Sequence, residues 1–291
     1  MKKLFKSILL VTLAIMVAFT FVGCSSNFLS EGKIKTLGKK LGLEKTADGK
    51  FVNPTATITI NCTNVEAGGN YEVTLVYELL FDKAPITVNN FIYLVQNKFY
   101  DDTLMDTVNS SYSVLGRYFL NDSNTYEAKE YKYTIKGEFI SNGWSVDGSE
   151  DGAANAVHEL GSLGMYHKPQ SDTVNYFDSA STGFYIAWSN SFGSNDTIQN
   201  KNYAVFGKIV ESKVKFVGGD ALSESFYADD TFRPGIDSEF VRYITNINTT
   251  TRKDSTGEIT LSETPSSTVK IKGVTLNGVK GDADKTLRKK A

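Results

Sequence analysis

Apolar and polar residues alternate in two neighbouring stretches beginning near residue 55. Ala56, Ile58 and Ile60 interleave with Thr55, Thr57 and Thr59, and Val73, Leu75, Tyr77 and Leu79 repeat the period of two that marks a half-buried strand. Residues 65–70 contain a Gly-Gly turn between them, so this unit reads as a β-hairpin. The period then changes. Val88, Phe91, Ile92 and Val95 recur at i, i+3, i+4 and i+7 behind Pro85, which suits the first turn of a helix because its missing N–H has no partner there anyway. The spacing predicts one apolar stripe on a helix that caps the open end of a sheet. Short β-like runs separated by Gly, Asn, Asp and Ser fill residues 104–210, most clearly 131–135, 183–188 and 203–210. A second short helix is expected over 237–244, with Asp237 as its N-cap, and closing strands around Val269, Ile271 and 274–276. Many short strands with only two helices argue for a closed antiparallel barrel, and no internal repeat is present.

The first residues carry a different message. A basic start, Met1-Lys2-Lys3-Leu4-Phe5-Lys6, leads into an apolar run from Ile8 to Val22 that stops at Gly23-Cys24-Ser25-Ser26. That run is short for a comfortable membrane span and reads as a secretory signal over residues 1–23. Its Phe-Val-Gly-Cys ending resembles a bacterial lipoprotein signal, which implies that Cys24 is lipidated and becomes the mature N-terminus. The alternative is an uncleaved N-terminal anchor. Both readings place the rest of the chain outside the cytoplasm, held to a membrane of the bacterial cell envelope. Residues 24–50, rich in Lys, Gly and Ser, read as a flexible tether in which Leu37, Leu41 and Leu43 form at most one weak helical turn. Residues 51–280 are the folded domain, and the charged tail over 281–291 is expected to fray.

Cys24 and Cys62 are the only cysteines, so a lipidated Cys24 leaves no intrachain disulfide, and stability must come from an ordinary core. Removing residues 1–23 takes away three Lys and no acid, which moves the formal charge from -2 to -5 and argues against a nucleic-acid partner. His158 and His167 are the sole histidines and neither has metal-ligand spacing. No Gly-x-Ser-x-Gly turn or phosphate-cradling loop is present.

Four blocks in order resemble the cyclophilin family: residues 82–103, Gly161-Ser162-Leu163-Gly164-Met165, Thr182-Gly183-Phe184-Tyr185-Ile186 and Val205-Phe206-Gly207-Lys208. The resemblance runs from Asn53 to about Leu276, with inserts near 121–155, 168–178, 189–200 and 218–236. It implies a mainly β fold, a closed eight-stranded antiparallel barrel capped by two helices, and peptidyl-prolyl cis-trans isomerase activity without any cofactor or metal. The barrier to be lowered is about 18–20 kcal/mol of amide resonance. An apolar pocket must hold the proline ring, and a fixed donor must favour the twisted amide, whose nitrogen has regained its lone pair.

Family members carry that donor as an arginine in a Phe-His-Arg-Val-like strand. Here the strand reads Met105-Asp106-Thr107-Val108, so Thr107 stands at the arginine position, and a Thr hydroxyl is short and neutral. In the next strand Tyr112 keeps an aromatic wall while Leu115 replaces a polar glutamine. Gly183 replaces a second glutamine, and Tyr185 the pocket phenylalanine. The Trp-Leu-Asp-Gly-Lys-His run has become Ile198-Gln199-Asn200-Lys201-Asn202-Tyr203. The resemblance thus implies a peptide groove lined by Tyr112, Leu115, Tyr166, His167, Tyr185 and Tyr203. Arg117 lies two residues beyond Leu115 and so is expected on the same face of that strand; it is either a substitute donor or a solvated rim arginine. The expected partners are proline-containing segments of exported proteins, met by a monomer, and the expected function is a slow extracytoplasmic isomerase. Two rivals stand beside it. One is a peptide-binding module of the same fold without turnover. The other, a solute-binding lipoprotein, needs alternating strands and helices that the chain lacks.

Overall fold

The computed structural model describes residues 29–65, 69–147, 149, 152, 154–169, 174–189, 200–218, 233–236, 241 and 244–290. Strands β1 (Thr55–Val65) and β2 (Gly69–Leu79) form the expected hairpin. Helix α2 (Pro85–Gln96) follows, preceded in the chain by α1 (Glu31–Lys40). Short strands β3 (Met105–Val108), β4 (Tyr112–Leu115), β5 (Tyr118–Leu120), β6 (Tyr126–Ala128) and β7 (Tyr133–Thr134) come next. They lead to β8 (Leu163–Met165), β9 (Phe184–Ala187), the long β10 (Val205–Gly218) and β11 (Arg233–Pro234). Strands β12 (Thr249–Lys253), β13 (Thr260–Pro265), β14 (Thr268–Asn277) and β15 (Lys289–Lys290) complete the chain.

Eight strands run in the order β14-β1-β2-β10-β8-β9-β4-β3, every neighbouring pair antiparallel, with β11 on the side of β10. The ends of this path meet. Leu104, just before β3, bridges Lys270 on β14, and Asp102 N–H and Thr103 C=O bond to Ile271. The result is the expected barrel, closed but for this narrow seam. Its interior is built by the alternation read from the sequence: Ala56, Ile58, Ile60 and Cys62 from β1 and Val73, Leu75, Tyr77 and Leu79 from β2 are all buried.

Helix α2 plugs one end. Phe91 is fully buried and meets the rings of Tyr100, Phe184 and Phe206 at centroid distances of 5.2, 5.7 and 5.3 Å. The burial exceeds the single stripe expected, because the outer face is covered as well. Asn89 exchanges hydrogen bonds with the backbone of Asp284, and Asn90 donates to Ser181 O and accepts from the Tyr133 hydroxyl. The helix has no side-chain cap of its own at Ala84. Instead Glu138, arriving from the loop after β7, accepts from the Ile86 and Thr87 N–H groups and the Thr87 hydroxyl. Of the second expected helix, Asp237 and Phe240 lie outside the described residues, while residues 241, 244 and 245 carry helical backbone.

Two expectations need correction. Residues 29–50 are not a flexible tether. α1 begins at the Ser30 N-cap, and Leu29, Leu37, Leu41 and Leu43 are all buried in the main core. Nor is the tail frayed: Ala283 is buried, Lys280 and Gly281 donate backbone N–H groups to Leu41 O, Lys40 pairs with Asp284 at 2.7 Å, and β15 pairs with β7. The two segments order each other, each covering the other's apolar side. A second departure is an annex beside β3. The β5–β6 and β12–β13 hairpins bury Leu104, Tyr118, Tyr126 and Leu261 in a small separate core.

Candidate active site

Thr107 emerges from β3 between two very different neighbours. Val108 is buried in the barrel core, while Asp106 is 0% exposed and carries a carboxylate. A register shift between Met105 and Thr107 brings consecutive residues out on one side. The Thr107 hydroxyl donates to Asp106 Oδ1 at 2.9 Å. A buried carboxylate needs a cation, and Arg117 provides it: Nε donates to Oδ2 at 3.1 Å and Nη2 makes a close contact with Oδ1. Nη2 also lies 3.3 Å from Thr107 Oγ1. The guanidinium thus sits directly beside the Thr107 hydroxyl.

Two glycines and one ring make this possible. Gly116 has φ +82°, a conformation L side chains rarely adopt, and it breaks the strand alternation between Leu115 and Arg117. Leu115 and Arg117 therefore do not share a face. Leu115, expected in the groove, is fully buried in the barrel core, and Arg117 turns outward. Gly183 leaves the space its stem needs, since a Cβ there would lie 2.6 Å from Arg117 Cγ and 2.9 Å from Cδ. The guanidinium carbon stacks 4.1 Å above the Tyr166 ring. Burial works against the Arg117 cation, but the Asp106 carboxylate more than offsets it and holds its pKa above the ordinary value. Burial likewise lifts the Asp106 carboxyl, with Arg117 and Thr107 opposing. Against an adjacent guanidinium the charged carboxylate is the form present at neutral pH.

Next to this pair lies an aromatic groove. Tyr112, Tyr166 and Tyr203 are half-buried, and Tyr185 forms the floor at 5% exposed. Tyr185 meets Tyr112 at 6.0 Å and Tyr203 at 5.8 Å, both edge to face. The Tyr185 ring lies across β8 at Gly164, where a Cβ would come within 2.0 Å of its Cζ. Its hydroxyl points away from solvent to His158 Nε2 at 2.5 Å, and His158 Nδ1 lies 2.6 Å from Asn200 Oδ1. Because that oxygen can only accept, Nδ1 carries the proton and Nε2 accepts from Tyr185. Burial pushes the Tyr203 phenol up to about 12 and raises those of Tyr112 and Tyr185, so all three rings are neutral.

His167 does not line the groove openly. It is 2% exposed and supports Tyr203 from behind, stacked on it at 4.3 Å and on Phe139 at 5.5 Å, with its ring nitrogens against Lys168 O and Asn202 O. Of the residues singled out from sequence, Thr107, Arg117, Tyr112, Tyr166, Tyr185 and Tyr203 come together; Leu115 does not. Ile198, Gln199 and Cys24 lie outside the described residues. Asp106 was missed, although an acid between Met105 and Val108 in a strand is a signal that a cation must come near. His158 was weighed only as a metal ligand. Among the described residues no group of three His, Cys, Asp or Glu could hold a metal ion.

Comparisons with known proteins point to one family. The profile of the family described as cyclophilin type peptidyl-prolyl cis-trans isomerase/CLD matches residues 63–217, just over half of the chain. No curated protein matches the sequence significantly. Among solved structures, the chain is similar to a cyclophilin type peptidyl-prolyl cis-trans isomerase of Cryptosporidium parvum in the presence of the dipeptide Ala-Pro. The identity is 16% and the TM-score 0.42, over 77% of this chain and 98% of that one. A second structure of that protein gives 15% and 0.39, over 76% and 98%.

Proposed function

The chain belongs to the cyclophilin-type peptidyl-prolyl cis-trans isomerase family, and on that premise we propose that it isomerises X-Pro bonds of exported proteins with Arg117 as the donor in place of the residue at Thr107. One observation carries the reading: the Arg117 guanidinium, fixed by Asp106, lies 3.3 Å from Thr107 Oγ1 beside the tyrosine groove. The substrate's proline ring packs on Tyr112, Tyr185 and Tyr203. As the amide twists out of plane its nitrogen becomes a hydrogen-bond acceptor. Arg117 Nη1, which bonds to no described residue, donates to it. No covalent step occurs, and the enzyme acts only by binding the twisted state better than the planar ones.

The chain acts, in this reading, outside the cytoplasm, lipidated at Cys24 and anchored to a membrane of the cell envelope. The signal-like residues 1–23 support it. Among the described residues no helix is long and apolar enough to cross a membrane. Turnover is slower than in relatives with the arginine on β3, because two of the fork's nitrogens are engaged by Asp106.

That same engagement favours the rival, a module that binds proline peptides without turning them over. A protease-coupled isomerisation assay on the protein separates the two. The expected result is measurable turnover that Arg117→Ala lowers by roughly 10²–10³-fold, as for loss of other transition-state donors, while proline-peptide binding survives. Binding without turnover in the wild type establishes the module. Wild-type turnover untouched by Arg117→Ala refutes the assignment of Arg117.

A further inference from the structure

The charge of this protein is sharply divided. Residues 29–50 hold six Lys against three acids, and residues 280–291 hold five Lys and Arg against two acids. Residues 51–279 hold 17 Lys and Arg against 28 Asp and Glu. The two basic segments, far apart in sequence, are one surface. Backbone hydrogen bonds join Lys280 and Gly281 to Leu41, Lys40 pairs with Asp284 and Lys280 with Glu44. Lys33, Lys35, Lys39, Lys40, Lys45 and Lys50 are all exposed, as are Lys280, Lys285, Lys289 and Lys290. Several are matched locally, Lys35 by Glu31 and Lys50 by Asp48. Lys33, Lys39 and Lys45 form no ion pair among the described residues.

The position of this end in the chain suggests what it faces. Leu29 is buried in the core, so only residues 25–28 separate the fold from Cys24. Fully extended, that stretch reaches no more than about 18 Å at 3.3–3.6 Å per residue. A bilayer holding Cys24 therefore meets the α1 end first, within about two Debye lengths at physiological salt. The remainder of the molecule, net acidic, is repelled by an anionic surface while this end is drawn to it.

We propose that the end formed by α1, the turn through residues 44–50 and the C-terminal tail is a docking surface for an anionic lipid bilayer. The proposal rests on the reading of the chain as membrane-anchored. Docking orients the barrel on the membrane. The attraction comes from several lysines acting additively, each contributing near an anionic surface.

The test uses the unlipidated chain from Ser25 onward, which keeps every described residue, so that its outcome does not depend on whether Cys24 is lipidated. Cosedimentation with phosphatidylglycerol-containing vesicles at low salt should show binding that is absent with pure phosphatidylcholine and lost in high salt. Lys33→Gln/Lys39→Gln/Lys45→Gln should weaken it by roughly 100-fold. Lys208→Gln/Lys215→Gln/Lys253→Gln, exposed positions elsewhere, should change it by less than about threefold, and circular dichroism should show both variants folded. Absence of binding to the anionic vesicles overturns the proposal, as does an equal loss in the two triple variants. Binding to a soluble polyphosphate as tight as to the vesicles overturns the assignment to a lipid surface.

Discussion

An arginine fork helps a twisting amide only if it is held still, and Arg117 is held from three sides. Asp106 fixes its plane, Tyr166 supports its face and Gly183 makes room for its stem. Gly183 is therefore a site where a single methyl group should matter. Gly183→Ala places a Cβ against the Arg117 stem, which must swing aside. A displacement of this size should cost up to about 100-fold in turnover and also lower the melting temperature, because it pulls the guanidinium off the buried Asp106 carboxylate. Turnover equal to wild type in the assay would show that the guanidinium's placement is irrelevant. From the sequence, Thr107 was expected at the family's arginine position and Arg117 as a candidate donor, but the route to Arg117 was wrong. Strand alternation put Arg117 beside Leu115, whereas the left-handed turn at Gly116 separates them. No pattern of apolar and polar residues reports a φ of +82°, and only the unexplained acid at Asp106 hinted where the guanidinium goes.

At the scale of elements, the strands with clean alternation were legible and the helix α1 was not. β1, β2 and β14 are long and buried on one face, so their period survives in the sequence. Leu37, Leu41 and Leu43 sit among lysines and glycines, and they join the main core where a tail more than 200 residues away bonds to Leu41. Their role is measurable: Leu41→Ala should destabilise the fold by about 2–5 kcal/mol, read from denaturant midpoints, whereas a tether residue would cost nothing. The cap on α2 gives a second test, in pH. Burial lifts the Glu138 carboxyl to about 7 despite the hydrogen bonds from Ile86 and Thr87 that favour its charged form. A group whose pKa is raised on folding binds its proton more tightly in the native state, so its contribution is complete below about 4.5 and is lost as pH rises through 7. That loss amounts to roughly 3 kcal/mol. Glu138→Gln cannot titrate, and its stability curve should be flatter than wild type between pH 4.5 and 7. Parallel curves would mean that Glu138 is charged throughout.

For the whole molecule, the order of blocks in the sequence was enough to anticipate the barrel, because each block is a local pattern and the order fixes the topology. What local pattern could not convey is how the ends join. The correction at residues 29–50 leaves so little chain before Leu29 that an anchor at Cys24 holds the domain close. Cys24→Ala should move the protein from the membrane to the soluble fraction, since stable attachment needs two acyl chains or a second signal. An unshifted N-terminal mass together with unchanged fractionation would show that Cys24 carries no lipid.

The seam between β14 and β3 also sets a timetable. β14 is made after the other seven strands of the barrel, yet it lies between β1 and the start of β3. Until it arrives, β1 and β3 each present an open edge, and no earlier strand can fill the gap. The barrel therefore cannot complete itself on a growing chain, however slowly the chain is made. Closure of the ring thus waits until all eight strands are present.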